Sequence, residues 1–313
     1  MGGWRRQPAA AVNNHGGRFT AACFFALLDG AGDQGSSRVV STVVLRRYYA
    51  NLVAGGLGER LTEAFAKVAR ERFVGPGPWH VSTGTGYVET PSDDLCFLYT
   101  NAVVALRTDR AINNGEPRLH ARCLAALEIA TGERIAHVGA GTGYYTAILA
   151  ELTGPTGSIA AFEIDPKLAS RAAINLAGPS HVTIYAQSGT EPLGAQFDVI
   201  YVNAGATRPL NAWLDALDIG GRLLFPLTPD RAITGMMLLV TRRADETFDA
   251  RFAVGPVAFI GCDGARTEEE AEQLRHAFAR GDGHRIRSLH RYGTPDDTSW
   301  CVGDGWWLST RAN

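Results

Sequence analysis

The sequence predicts an α/β fold built on a doubly wound, mostly parallel sheet. Three observations carry this. Strand-like and helix-like segments alternate from 133 to 227, the pattern of βαβ units joined by right-handed crossovers. The stretch Glu133 to Leu152, ERIAHVGAGTGYYTAILAEL, reads as strand, tight glycine loop and helix. FDVIYVNAG at 197–205 is a nearly continuous apolar run, as in a strand buried on both faces.

At 313 residues, with 45% hydrophobic and 20% charged side chains, the chain can bury a large core. Its net charge of −2 gives no reason to expect nucleic acid or an anionic membrane as partner. The five cysteines, Cys23, Cys96, Cys123, Cys262 and Cys301, are scattered and form no C-x-x-C pair. They are read as reduced thiols of a cytoplasmic protein, at spacings that do not suit a zinc site.

Taken in order, residues 1–44 are expected to form a loosely ordered N-terminal extension, or to lie upstream of the true start. Their apolar run TAACFFALL is ended by Asp29 and Gly30, and no A-x-A triplet follows, unlike an export signal. The run is too short to span a bilayer. A core domain is expected over 45–262 and a C-terminal extension over 263–313. LGERLTEAFAKVARERF reads as one helix with Leu57, Leu61, Phe65, Val68 and Phe73 near one face, broken by Gly75 to Pro78. Residues 79–101 are expected to be loop-rich, with STGTG (82–86) a turn, and 99–106 a short strand. Pro117 opens a helix running through Leu127.

After the central strand and helix, GSIAAFEID is a strand ending at Glu163, and DPKLASRAAINLAG a helix stopped by Gly178 and Pro179. Strands follow at 182–187 and 197–205, a helix at 209–217, and strands at 220–227, 235–243 and 251–262. TEEEAEQLRHAFARG (267–281) is a charged surface helix whose Glu268, Glu269 and Glu270 suit a solvated first turn. Trp300, Trp306 and Trp307 are expected to pack in the core or at its edge.

The chemistry concentrates at the central loop. Gly139, Gly141 and Gly143 let the backbone turn sharply and approach a ligand without Cβ atoms in the way, and the helix start offers N–H groups to it. The spacing is G-x-G-x-G, and Tyr144 stands where the dinucleotide pattern needs its third glycine. Glu163 follows Gly143 by twenty residues, where an acid can hold both hydroxyls of a ribose. Loop and acid together indicate a nucleoside cofactor without a phosphate cradle, which suits S-adenosyl-L-methionine better than NAD.

With these pieces in order, the chain resembles the protein-L-isoaspartate O-methyltransferase family from about Leu52 to Leu227. LTEAFAKVARERFV is similar to its N-terminal helix with an Arg-x-x-Phe-Val phrase. HVGAGTGYYTAILAEL resembles its first methyltransferase motif, AFEID its ribose acid, and FDVIYVNAGATRPLNAWLDALDIGGRLLFPL its block from fourth to fifth strand. The resemblance implies a seven-stranded Rossmann-like methyltransferase sheet and S-adenosyl-L-methionine as cofactor. It implies Gly139, Gly141 and Gly143 at the methionine end and Glu163, with Ile164, at the ribose. Ser188 and Gly189 fall beside the adenine, and Asn203 and Ala204 near the reacting methyl.

Three positions depart from the family pattern. His137 replaces an acid before the first glycine, and Ser188 replaces an aspartate. The substrate-side Ile-Ser-x-Pro turn becomes Ile112, Asn113, Asn114, Gly115, Glu116, Pro117. Asn113, Asn114 and the N–H of Gly115 are the candidates to orient the acceptor; an Asn-Gly turn needing only a positive φ is the competing reading. His137 either accepts from the methionine ammonium or is a buried, hydrogen-bonded histidine, and His120 is read as packing or hydrogen-bonding at the helix end, with facing the site as the other reading.

The expected activity is an O-methyltransferase acting on a carboxyl group, isoaspartyl or Asp-like, of a protein or peptide. A sulfonium leaves as a neutral group and a carboxylate is already ionised at neutral pH, so positioning alone suffices and no acid–base dyad is needed. The rivals are a carboxyl methyltransferase for another acceptor, such as a modified peptide, a cofactor-binding module without catalysis, and an NAD-dependent oxidoreductase, which Tyr144 disfavours. The oligomeric state is open, with a monomer compatible.

Overall fold

The computed structural model describes residues 41–84, 86–229, 235–244 and 246–313. The apolar run at 20–28, Cys23 and all but the last four residues of the 1–44 extension lie outside them. Helix α1 (Thr42–Ala54) starts at Ser41, whose side chain caps the N–H of Val44. The single helix expected over 57–73 is two short ones, α2 (Glu59–Lys67) and α3 (Glu71–Val74), separated where Val68 turns extended. Leu61, Phe65, Val68 and Phe73 are buried as expected; Leu57 precedes the helix and stays 36% exposed.

Arg70, between these helices, is fully buried. Its guanidinium donates to the carbonyls of Leu98 (2.6 Å), Thr100 (2.8 Å) and Ala102 (2.5 Å). Those carbonyls are therefore spent on a side chain and not on a ladder, which is why residues 99–104 are not the expected strand. The hairpin β1 (His80–Ser82) and β2 (Tyr87–Glu89) is joined through the STGTG turn, whose Thr85 lies outside the described residues. A second small pair follows, β3 (Ala105–Arg107) and β4 (Ile112–Asn113). Pro117 then occupies the first turn of α4 (Pro117–Leu127), where its missing N–H costs nothing.

The central sheet is built from β5 (Arg134–Val138), β6 (Ser158–Phe162), β7 (Val182–Tyr185), β8 (Phe197–Val202) and β9 (Leu217–Leu227). Three helices join them: α5 (Tyr144–Thr153), α6 (Pro166–Asn175) and α7 (Asn211–Asp215). The strands run parallel in the order β7-β6-β5-β8-β9. The chain moves outward from β5 on one side and returns to begin β8 on the other. That reversal is the topological switch point, at whose carboxyl ends such sheets bind ligands. Val199, Ile200, Tyr201 and Val202 of β8 are fully buried, as their unbroken apolar run requires.

Antiparallel β10 (Gly235–Ala244) and β11 (Thr247–Val257) complete the expected seven strands. The strand expected over 251–262 ends at Val257. Residues 258–262 instead cross toward the end of β8, where Gly205 and Ile260 share a 2.7 Å hydrogen bond and Cys262 returns one to Gly205. The C-terminal residues form α8 (Glu268–Arg280) and β12 (Ser288–Arg291), β13 (Ser299–Gly303) and β14 (Trp306–Ser309). These strands extend the same sheet past β11 to ten in all among the described residues. Trp300, Trp306 and Trp307 are buried, in keeping with the packing role.

The acidic turn of α8 departs from expectation at one residue. Glu270 is buried, accepting from Trp306 Nε1 (3.0 Å) and from the hydroxyls of Thr207 and Thr267 (3.2 Å each). A buried carboxylate needs such donors. Through it the last strand is tied to the loop that follows β8.

Candidate active site

The glycine loop leaves β5 at Val138 and enters α5 at Tyr144. Gly139, Gly141 and Gly143 all have positive φ, 78°, 59° and 93°, which other residues adopt only with strain. The loop is pinned to β6 by bonds from the N–H groups of Gly139 (2.9 Å) and Ala140 (3.1 Å) to the Phe162 carbonyl. Gly139 and Gly141 line a cavity of about 400 Å³. Gly143 does not. A Cβ there would come within 2.7 Å of Leu176, so this glycine serves the packing of α5 on α6. No side chain caps the first turn of α5.

Glu163 faces the loop. Its carboxylate accepts from the N–H of Gly141 (2.7 Å) and of Asp165 (2.9 Å). Burial pushes its pKa above the usual carboxylate range, against the pull of those two donors. Ile164, next along, is 54% exposed. Ser188 hydrogen-bonds Thr190 (2.7 Å), and Gly189 is packed so closely over β5 that a Cβ would lie 2.7 Å from Val138. These three lie beyond the carboxyl ends of β6 and β7 and do not line the cavity.

His137 departs from the ammonium-facing reading. Its side chain is fully buried, with Nδ1 on the Thr146 hydroxyl and Nε2 on Asn203 Nδ2, each at 2.8 Å. Burial holds its pKa down at about 3, so the ring is neutral. Both ring nitrogens are used, and the group that it presents to the cavity is Asn203. That amide donates to His137, while its Oδ1 is buried with no partner in the protein. A buried orphan acceptor beside the glycine loop suits a cationic donor.

The acceptor-side turn separates three residues that sequence could only group. Gly115 N–H donates to Asn113 Oδ1 (2.9 Å) and Asn113 Nδ2 donates to the Tyr87 hydroxyl (3.1 Å). The Gly115 N–H is therefore spent inside the turn, and Asn113 holds the turn against the β1–β2 hairpin. Gly115 has φ 71° and a Cβ on it would overlap the ring of His120, which accounts for glycine there. Asn114 differs. Its Oδ1 accepts from Val104 N–H (2.9 Å), but its Nδ2 is buried without a partner and the residue lines the cavity.

Several cavity residues carried no signal in the sequence. His120 packs as expected but lines the wall, its Nδ1 2.7 Å from the Tyr201 hydroxyl, and burial lowers its pKa to about 3. Tyr145, Glu116 and the segment 256–260 also line the cavity, and Leu106 of β3 lies against Gly141. The β3–β4 pair is held near the loop by Arg107 (3.1 Å) and Arg110 (2.8 Å), both on the buried carboxylate of Asp165. No lysine or arginine is among the lining residues. A cavity with an orphan acceptor at the loop, an orphan amide N–H opposite and no fixed cation suits a sulfonium cofactor meeting a carboxylate.

Comparison with known proteins agrees with this fold. The profile of the Protein-L-isoaspartate(D-aspartate) O-methyltransferase family matches residues 51–266. A protein-L-isoaspartate O-methyltransferase of Ignicoccus hospitalis is 32% identical over 188 residues, covering 58% of this chain and 81% of its own. A solved protein-L-isoaspartate O-methyltransferase superposes with TM-score 0.59 at 19% identity, over 86% of each chain. A Plasmodium falciparum protein named as a beta-aspartate methyltransferase, solved with S-adenosyl-L-homocysteine, superposes with TM-score 0.54 at 18% identity, over 70% of this chain and 98% of its own.

Proposed function

The chain belongs to the protein-L-isoaspartate O-methyltransferase family and is an S-adenosyl-L-methionine-dependent protein carboxyl O-methyltransferase, and from that premise we propose that it methylates the free α-carboxylate of an isoaspartyl residue, received at Asn114. The observation that supports this reading most is the unpartnered Asn114 N–H, in one cavity with Gly139, Gly141 and Asn203.

When bound, the cofactor supplies an electrophilic methyl on a sulfonium that leaves as a neutral thioether. The residues of this chain then have a positioning task. The Gly139–Gly141 backbone and the orphan Oδ1 of Asn203 receive the methionine end, and Glu163, already fixed to the loop, receives the ribose. Ile164 adjoins Glu163 at the ribose, and Ser188 and Gly189 border the adenine. Asn114 turns a carboxylate oxygen toward the loop by one N–H without neutralising it. No proton has to move, because the nucleophile is already ionised. Holding the reacting atoms about 3 Å apart and in line supplies the acceleration.

The departures at His137, Ser188 and Gly115 have local structural accounts, and the non-catalytic alternative is not favoured. The thiols of Cys96, Cys123, Cys262 and Cys301 are unpaired, in keeping with a reducing cytoplasm, and no described helix is long and apolar enough to cross a membrane. The test is incubation with methyl-labelled S-adenosyl-L-methionine and matched peptides carrying isoaspartate, aspartate or isoasparagine, read as base-released methanol. Label on the isoaspartyl peptide alone is expected. Label on the aspartyl peptide alone would assign a different carboxyl acceptor, and label on none would remove the acceptor assignment.

A further inference from the structure

Tyr145 was not singled out by any motif, and its chemistry is unused by the roles above. It sits on the first turn of α5, its ring stacked on His120 with centroids 3.7 Å apart and planes 15° from parallel. It meets the Tyr144 ring edge-on at 5.0 Å. His120 in turn fills the space that a side chain on Gly115 would need. The Tyr145 ring is thus held one aromatic layer away from the Asn113–Gly115 turn, with little freedom to rotate.

Its hydroxyl is anomalous. Tyr145 is 5% exposed, lines the cavity, and its Oη is buried with no partner in the protein. Buried hydroxyls are nearly always hydrogen-bonded, and leaving one unmade costs free energy. Asn114 Nδ2, on the same cavity, is in the same condition. Two orphan donors on residues that line one cavity, with no lysine or arginine among them, match the two oxygens of one carboxylate. They hold a neutral amide more weakly, since the hydroxyl can accept from its NH₂ end but neither bond is then charge-assisted. Burial also raises the phenol pKa well above its ordinary value, so the O–H is present throughout the neutral range.

We infer that the Tyr145 hydroxyl is the second hydrogen-bond donor to the acceptor carboxylate, pairing with Asn114 to select a carboxylate over the isosteric amide. This rests on the acceptor reading given above, and it assigns to Tyr145 a substrate contact that the glycine-loop motif does not.

The test is Tyr145→Phe, which keeps the ring and removes only the oxygen. In the free protein the hydroxyl bonds no other protein group, so the melting temperature is expected to stay level or rise; a clear fall would mean a structural role and overturn the assignment. Calorimetric affinity for S-adenosyl-L-methionine is expected to stay within about twofold, and a larger loss would place the hydroxyl on the cofactor instead. The decisive readout is the ratio of KM for an isoaspartyl peptide to Ki for its isoasparaginyl analogue. The variant is expected to lose about ten- to hundredfold of the wild-type preference, as for a lost hydrogen bond to a charged group. An unchanged ratio, with wild-type methylation intact, sinks the Tyr145 assignment alone. A wild-type protein that binds neither peptide sinks the acceptor reading and this inference with it.

Discussion

Asn203 Nδ2 lies 2.8 Å from His137 Nε2, and this bond decides which end of the amide faces the cavity. Thr146 holds the other ring nitrogen at 2.8 Å, so the imidazole is fixed as a neutral ring accepting from Asn203. His137 thereby leaves the Oδ1 of Asn203 without a partner, at a residue that lines the cavity together with the glycine loop. His137→Phe keeps a flat ring but removes the acceptor, leaving Asn203 free to turn. Affinity for S-adenosyl-L-methionine is expected to fall about tenfold, the scale of one net hydrogen bond. Calorimetry showing wild-type affinity would remove His137 from the relay.

The same histidine makes stability depend on acid. His137 and His120 are buried, and burial holds both near pKa 3, far below the value of about 6.5 for an unfolded histidine. As pH falls below about 6.5 the unfolded chain takes up these protons and the folded chain does not. The stability that they contribute is therefore complete above that pH and is lost progressively down to about 3, by at most about 1.4 kcal/mol per pH unit for each ring. Urea midpoints at pH 7.5, 6 and 5 should drop accordingly, and His137→Phe should flatten the drop. An equally steep acid profile in that variant would show that other groups cause it.

Glu163 is held by two backbone N–H groups, from Gly141 and Asp165, before any ligand arrives. The loop and this carboxylate are thus one unit. Glu163→Gln keeps the shape but sets an NH₂ against one of those donors. Cofactor affinity is expected to weaken by about 1.5–3 kcal/mol, the range for hydrogen bonds to a charged group. Titration of the variant with S-adenosyl-L-homocysteine measures it, and undiminished binding would separate Glu163 from the ribose.

Much of this architecture could be read from residues. The order of strands and helices from β5 to β9 follows from apolar runs and glycine stops, because the parallel core leaves each strand buried on both faces. The loop and Glu163 were legible because their spacing is a covalent fact. What stayed hidden depends on side chains far apart in sequence. The strand expected at 99–106 forms only from Ala105 on, because Arg70, some thirty residues earlier, takes the carbonyls of Leu98, Thr100 and Ala102. Asn113, Asn114 and Gly115 look alike in a turn; only Tyr87 and Val104, from earlier in the chain, decide whose donor stays free. Gly143 belongs to the motif, yet Leu176 explains it. Tyr145 carried no signal, since its isolation is visible only once its neighbours are placed.

Asn114 offers the most selective substitution at this site. Its two side-chain ends do different things: Oδ1 accepts from Val104 N–H at 2.9 Å, and Nδ2 is the unpartnered donor. Asn114→Asp keeps the first, so the turn and the β3–β4 pair should hold. It replaces the second with a carboxylate oxygen, placing a negative charge where the acceptor's own charge must come. Two carboxylates in a buried site repel strongly unless one is protonated. At pH 7.5, kcat/KM for an isoaspartyl peptide is expected to fall by about a hundredfold or more, a loss of about 3 kcal/mol, while cofactor affinity barely changes. Activity should recover in part as pH is lowered, because protonating the new aspartate restores a donor. A variant with wild-type turnover and a flat pH profile would show that the acceptor is oriented from elsewhere in the cavity.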